Sequence, residues 1–422
     1  MGKIKVLVIY TDKHGGVGFY RSSQPHEMLK RLYPKEFDVE FMTEPSFSDL
    51  SVFDEYNLIH FHKGVYYQTN KLQETFTKAL QYFKEKGIVT VMDIDDYWRL
   101  QQHHPLYTVR LMEKNVEDGI NTEDVIKKNL SLVDYVTTTT PLFANEIKKF
   151  NKNVVVIPNA INPEDKSFIV NKEPSEKLRI GMVMGSAHEY DVMTMENFVG
   201  KLPKDVLDKV QFVLCGFDTR GVKRRLNPQT KQMEAIASRP EESVWCRYEK
   251  IMTNNYQIVS PEYKNFLLRY APNLEFPGVE KETYRRCWTR TMDSYFQHYA
   301  NIDVLLAPLE ENDFNKVKSE LKAIECCFSH TAFVGSNFGP YTLGLKPLIE
   351  KGGNINPDGN AILIDRNKAH KDWAKTIERL VKHPEYVKML QDNLYRDFHE
   401  KYDLRNVTAQ RAEFYKKITN KE

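Results

Sequence analysis

The stretch Asp313-Phe314-Asn315-Lys316-Val317-Lys318-Ser319-Glu320-Leu321-Lys322-Ala323-Ile324-Glu325 holds groups suited to a phosphate and a diol. A helix starting near residue 316 puts Lys318, Lys322 and Glu325 at i, i+4 and i+7, on one face. Its first turn offers backbone amides, the Lys318 ammonium and the Ser319 hydroxyl to an anion. Glu325, two turns on, is a two-oxygen acceptor matched to a ribose diol. Together these groups fit a nucleoside diphosphate laid along the helix. The plainer alternative is a solvated helix with an exposed Lys/Glu face.

Four other clusters carry chemistry. Gly15-Gly16-Val17-Gly18 follows an apolar run, and its glycines let backbone approach a ligand. The pattern is not GxGxxG, and no acid ends the second strand, so a dinucleotide site is not indicated. Asp93-Ile94-Asp95-Asp96 crowds three carboxylates that repel unless a cation, donors or solvent offsets the cost. They can hold a metal, orient or deprotonate an acceptor hydroxyl, or cap the next turn. His60-Phe61-His62 alternates so that both imidazoles share one face, without an evident third metal ligand. Gly185-Ser186-Ala187-His188 sets backbone and hydroxyl donors at a turn, with His188 able to contribute a proton or a sugar contact.

The elements that must position these groups alternate between strand and helix patterns. Strands are expected at 4–10, 37–42, 58–61, 88–92, 135–138 and 154–157, with helices near 22–32, 72–86, 125–132 and 142–150. A polar segment, 162–177, reads as a linker. The pattern then restarts with strands at 178–184, 210–215, 304–307, 332–334 and 361–364. Strands separated by helices argue for parallel sheets, hence an α/β fold of two Rossmann-like domains, with ligands outside the carboxyl ends of the strands. The expected domains are 1–165, joined by a C-terminal helix at about 400–422, and 175–398. Residues 218–300 read as a helical insertion, with a basic run from Arg220 to Arg225 and aromatics from Trp245 to Tyr270. That insertion is either a solvated cap or an acceptor contact.

A chain of 422 residues exceeds one ordinary core, and its net charge of +2 excludes a polyelectrolyte as a whole. Its five cysteines form no CxxC pair, so neither a zinc ribbon nor a disulfide framework is expected, and a cytoplasmic location fits. No apolar run reaches the length of a membrane span.

Taken in order, these features resemble glycosyltransferases of the two-domain GT-B architecture, and among them the retaining family 4. The resemblance rests on Gly15, Gly16 and Gly18, on Val136 to Pro141, and on Val156-Ile157-Pro158-Asn159-Ala160, which is similar to the family's run into its linker. It continues through Ile180-Gly181 to Gly185-Ser186 and the block Phe314 to Ser336. It covers the chain except about 218–300.

The resemblance implies two domains facing each other across a cleft. It implies sugar transfer from a nucleotide-sugar, such as a UDP- or GDP-sugar, to a hydroxyl of a saccharide or glycoconjugate, with retention and no required metal or cofactor. Glu325 would hold the ribose, Lys318 and Ser319 the diphosphate, and Gly16 and Gly18 the sugar or phosphate from the other half. Gly185, Ser186 and His188 would join the donor site.

The family's first acid, eight residues before Glu325, is here Val317, with Asn315 or Asp313 as substitutes. Its usual histidine is replaced by Met92-Asp93, which leaves Asp93, Asp95 and Asp96 as acceptor-side candidates. Two alternatives stay open: a phage-type enzyme that glycosylates a hydroxymethylated base in DNA, and a GT-B binding module without catalysis.

Overall fold

The computed structural model describes residues 2–9, 15–43, 45–63, 70–104, 107, 122–230, 233–255, 258–272, 274–350, 352–366 and 369–419. Asp12, Lys13 and His14, which open the glycine loop, lie outside these residues. The chain divides into two compact units, one of Met1–Glu164, Glu311–Ile324 and Phe398–Glu422, the other of Asp165–Glu310 and Glu325–Asp397.

The first unit is built on strands β1 (Ile4–Ile9), β2 (Phe37–Met42), β3 (Leu58–His62), β4 (Val89–Ile94), β5 (Tyr135–Thr138) and β6 (Val154–Val156). They form one parallel sheet in the order β2-β1-β3-β4-β5-β6. The strands are apolar on both faces because helices cover both faces. Leu7 and Ile9 face one core with Phe76, Leu80 and Phe83. Ile4, Val6 and Val8 face another, closed by Leu29 and by Ala412, Tyr415 and Ile418 of the C-terminal helix Leu404–Ile418. Asp403 caps that helix by accepting from the Arg405 amide.

The second unit repeats the plan with β7 (Leu178–Val183), β8 (Val210–Phe217), β9 (Val222–Leu226), β10 (Met233–Ala237), β11 (Tyr284–Trp288), β12 (Val304–Ala307), β13 (Ala332–Ser336) and β14 (Ile362–Ile364). Six of these make a parallel sheet ordered β11-β8-β7-β12-β13-β14. Gly181 is required in β7, since a Cβ there would meet the Ile302 side chain at 2.5 Å.

Residues 218–300 differ from a helical insertion. Strand β11 belongs to the main sheet, and the helices Val244–Thr253 and Pro261–Leu267 lie on the connection that leads to it. Among the described residues, β9 and β10 stand apart as a two-stranded antiparallel ribbon. The sequence of β11, Tyr-Arg-Arg-Cys-Trp, hides its place because it carries charge. Inside the unit the Arg286 guanidinium pairs with the buried Glu249 at 2.7 Å and stacks 4.1 Å from the Phe217 ring centroid. Trp245, Tyr248 and Tyr263 are buried core, not a stacking surface.

Candidate active site

In each sheet the strand order reverses once, between β1 and β3 in the first unit and between β7 and β12 in the second. The carboxyl ends flanking such a reversal border a natural crevice.

In the first unit, Gly15 is still extended (φ −80°, ψ 151°), and Gly16 begins a helical run through Gly18. A π-helical turn, Phe19–Ser23, follows before the α-helix Gln24–Leu32. Such turns are rare and concentrate at functional sites. This one carries Arg21 into the interior. Its Nε and Nη2 donate to Asp93 Oδ1 and Oδ2 at 3.0 and 2.7 Å. Its Nη1 donates to the Ile157 carbonyl at 2.9 Å and to Asn159 Oδ1 at 3.1 Å. Thr137 adds a 2.7 Å hydrogen bond to Asp93 Oδ2. Burial alone pushes the Asp93 carboxyl up, but the facing guanidinium outweighs it and brings the group down to about 2. With no exposed surface and both oxygens engaged, Asp93 positions Arg21 instead of meeting an acceptor.

Asn159 passes the network onward, donating from Nδ2 to Ser319 Oγ at 2.9 Å. Thr140 Oγ1 donates to the Val317 carbonyl at 3.4 Å. The segment 317–319 therefore lies over the carboxyl ends of β5 and β6. Phe314 and Val317 anchor it, buried in the core that holds Tyr97, Trp98 and Phe143.

The helix expected from residue 316 starts later. Asn312 caps one short turn, Asp313–Lys316, Val317 leaves it at φ −104° and ψ 1°, and the main helix is Leu321–Phe328. Lys318 and Ser319 stand in the connector, with the Lys318 ammonium 5.0 Å from the Phe314 ring centroid. Asn315 is buried, its amide donating to Asn312 Oδ1 at 2.8 Å.

Asp95 and Asp96 follow β4. His62 Nε2 donates to Asp95 Oδ1 at 3.0 Å. Lys63 Nζ lies 3.1 Å from Asp95 and 3.0 Å from Asp96. Burial raises the Asp95 carboxyl, yet Lys63 and His62 hold it well below the usual carboxylate range. Asp96 is the most accessible of the three acids, its side chain 33% exposed. Thus each of the three carboxylates has a protein cation. His60 and His62 have different partners: His60 Nδ1 lies 3.1 Å from the Tyr415 hydroxyl and its ring 4.4 Å from that of His26, whereas His62 meets Asp95.

In the second unit, Gly185 closes β7 in extended conformation (φ −86°, ψ 170°) and caps the turn Ser186–His188. Both Gly185 and Ser186 are exposed. The Tyr248 hydroxyl is 3.3 Å from the carbonyls of both, which holds the turn from behind. His188 Nδ1 and Asp191 Oδ2 are 2.6 Å apart, and Asp191 Oδ1 accepts the Glu310 amide at 2.8 Å. Glu310 follows β12 as His188 follows β7, so this carboxylate ties the two strand ends at the reversal. Glu325 lies on the helix Leu321–Phe328, where the unit boundary falls. It is buried and accepts the Tyr299 hydroxyl at 2.6 Å. Burial beside this carboxylate pushes the Tyr299 and Tyr295 phenols well above their ordinary value, so both remain donors.

The structure therefore joins Asp93 and Ser319 in one network, and groups Gly185, Ser186 and His188 at one turn. It places Lys318 and Ser319 in the first unit and Glu325 in the second. Sequence reading missed Arg21, Asp191 and Tyr299. Arg21 had one signal, a cation three residues after Gly18. Asp191 had its spacing three after His188.

The two parallel six-stranded sheets with flanking helices agree with the two-domain GT-B fold, and solved structures share it. Anabaena HepE in complex with UDP and glucose matches with a TM-score of 0.58 at 11% identity, over 98% of this chain and 100% of that one. The catalytic domain of Arabidopsis thaliana starch synthase IV, bound to ADP and acarbose, matches with 0.55 at 12% identity, over 99% of both chains. An α-glucosyltransferase (AGT) in complex with UDP and a 13-mer DNA matches with 0.55 at 11% identity, over 98% and 99%. At these identities the likeness is one of fold. No protein-family profile and no curated protein sequence matches the chain. Among the described residues no helix is long and apolar enough to cross a membrane.

Proposed function

We propose that the chain is a glycosyltransferase that moves a sugar from a nucleotide-sugar to a hydroxyl of a saccharide or glycoconjugate. The observation that carries this reading is the fold match along nearly the whole chain to structures determined with UDP or ADP. We assign the parts as follows. Gly185, Ser186 and His188 offer donors at the β7–β12 reversal, with His188 oriented by Asp191. Glu325 offers its carboxylate to a ribose. Lys318 and Ser319, with Asn315, receive the diphosphate, and Gly16 and Gly18 let backbone approach it.

In the transfer, the bond from the anomeric carbon to the diphosphate breaks and one to the acceptor oxygen forms. The acceptor proton leaves to a base, for which Asp96 is the accessible carboxylate, with Asp95 beside it. Stabilising the departing diphosphate by preplaced cations and amides is the main catalytic contribution. We assign retention, as in family 4, a hexosyl donor, a cytoplasmic location and no metal requirement. Lys63 and Arg21 already neutralise the acids a cation would serve.

A thermal-shift panel of UDP-, GDP-, ADP- and CMP-sugars, repeated on Glu325→Ala, tests the reading. One donor class should stabilise the wild type by several degrees and the variant far less. Stabilisation of the wild type by none of them rejects the function. An equal response of the variant rejects the role of Glu325.

The ribbon β9–β10, with Lys223, Arg224 and Arg225 along β9, favours a second reading in which the acceptor is DNA. A β-ribbon fits the major groove, and one solved relative in fold was determined with DNA. Loss of duplex binding between low and high salt supports it, and absence of binding at low salt removes it.

A further inference from the structure

The second unit has a cavity of about 540 Å³ at the amino ends of its strands, away from the carboxyl ends where Gly185, Ser186 and His188 stand. Leu178 opens β7 there, Lys209 precedes β8 and Asp303 precedes β12. The segment 172–177 forms one wall. Leu380, Val381 and Pro384, around the junction of the helices Ala369–Lys382 and Pro384–Phe398, form another. Small-molecule sites occupy about 300–1,000 Å³, so the volume is of that kind.

The inner charges do not cancel. Arg179 is 4% exposed and clamps Asp303, with Nε and Nη2 donating to Oδ2 and Oδ1 at 3.0 and 2.8 Å. Nη1 donates to the Ala300 carbonyl at 3.1 Å, so two of the guanidinium N–H groups remain. Lys172 reaches in from the segment before β7. Its ammonium donates to the Ile302 carbonyl and, at 2.7 Å, to Thr331 Oγ1, which leaves one N–H. Both of those acceptors are neutral. Burial brings the Lys172 ammonium down to about 8 against the opposing pull of Asp303. The inner wall thus holds two cations and one carboxylate, and that carboxylate is already matched to Arg179. At the rim, Lys177 and Lys209 balance the exposed Glu173 and Glu176.

An inner surplus of positive charge with uncommitted N–H donors suits the oxygens of a phosphate. The apolar wall of Leu178, Leu380, Val381 and Pro384 suits a carbon body attached to it. We infer that this cavity is a second ligand site, separate from the donor site, which takes a small organic phosphate. The phosphate meets Lys172 and Arg179, and the organic body lies against Leu380 and Val381. A ligand so placed ties the segment 172–177 to the sheet edge. Such binding needs no sugar nucleotide and does not depend on the glycosyltransferase reading.

Calorimetry on the full chain tests this with phenyl phosphate as the probe and with inorganic phosphate and benzyl alcohol as its two halves. Phenyl phosphate should bind the wild type saturably and more tightly than either half. Lys172→Met should weaken it about tenfold. Lys209→Glu, an exposed change at the rim, should weaken it about threefold. Lys318→Ala, at the donor site of the other unit, should leave the affinity as in the wild type. If Lys172→Met fails to melt cooperatively, Lys209→Glu decides. Absence of saturable binding, equal affinity for benzyl alcohol, or affinity unchanged in both Lys172→Met and Lys209→Glu overturns the inference. A loss in Lys318→Ala also overturns it, because the phosphate then sits in the donor site.

Discussion

Arg21 and Asp93 meet as a two-pronged ion pair with side chains 1% and 0% exposed, 2.7 Å apart at the closer contact. Asp93 comes from the end of β4 and Arg21 from the π-helical turn after β1. Through Nη1 the same guanidinium fixes Asn159 and, through it, Ser319. One buried cation thus sets the relative positions of three strand ends and the connector that precedes the helix Leu321–Phe328.

Removing either partner leaves a charge buried without compensation. Arg21→Met and Asp93→Ala should each lose about 3–5 kcal/mol of stability. Urea unfolding checks this, and a loss under about 1 kcal/mol would show that the pair is dispensable.

Stability should fall in acid in two stages. His60 is kept neutral by burial, which lowers it from 6.5 to about 3. The unfolded chain therefore takes up this proton first. The His60 contribution is complete above pH 6.5 and declines as pH falls toward 3, by about 2 kcal/mol between pH 6.5 and 5. His26, buried against His60, shifts in the same direction. Asp93 is held at about 2 against an ordinary 3.8. Its contribution is present above pH 3.8 and disappears as pH falls toward 2, a further loss of about 2 kcal/mol. Urea midpoints at pH 7.5 and 5.0 should differ clearly in the wild type and less in His60→Asn. Equal pH dependence in the two proteins would refute the assignment.

The imidazole of His188 is held by Asp191, whose other oxygen is fixed by the Glu310 amide. His188→Ala should lower kcat/KM by about 100-fold, as expected for loss of a placed proton or hydrogen-bond donor. Asp191→Asn should lower it by about tenfold while keeping the melting temperature close to wild type. Kinetics that leave His188→Ala at wild-type activity would exclude the β7–β12 turn from the chemistry.

The Tyr299 hydroxyl bonds a buried carboxylate, a contact of the stronger class. Tyr299→Phe should cost about 2 kcal/mol. It should also weaken nucleoside diphosphate and sugar nucleotide equally, because Glu325 is assigned to the ribose that both share. Binding assays in which only the sugar nucleotide weakens would contradict that assignment.

Lys63 bridges Asp95 and Asp96, so activity should be unchanged in EDTA. Lys63→Ala should reduce transfer, and added Mn²⁺ or Mg²⁺ should restore part of it by taking the ammonium's place between the two acids. Loss of wild-type activity in EDTA would establish a metal requirement.

Much of the fold was legible because its signal is local. Apolar runs of β-branched residues marked β1, β4, β7 and β12, and glycines or turn residues marked their ends. Strand β11 was not legible, since Arg286 is tolerated there only through its ion pair with Glu249, thirty-seven residues away. The helix start after residue 316 was misplaced for a similar reason. Helical spacing favours continuity through Val317, whereas burial of Phe314 and Val317 against Tyr97, Trp98 and Phe143 breaks it.

The site divides along the same line. The residue types at the strand ends can be read from the chain alone, as can the glycine loop, the three acids, Gly185-Ser186 with His188, and Lys318-Ser319, because composition and spacing along a strand are local facts. Their partners came from packing. It turned Asp93 inward onto Arg21, linked Ser319 to it through Asn159, gave His188 its carboxylate, and covered Glu325 with tyrosine. Those outcomes depend on which groups meet after the chain has folded, and hydrogen-bond satisfaction and desolvation are properties of the packed interior that no linear spacing records.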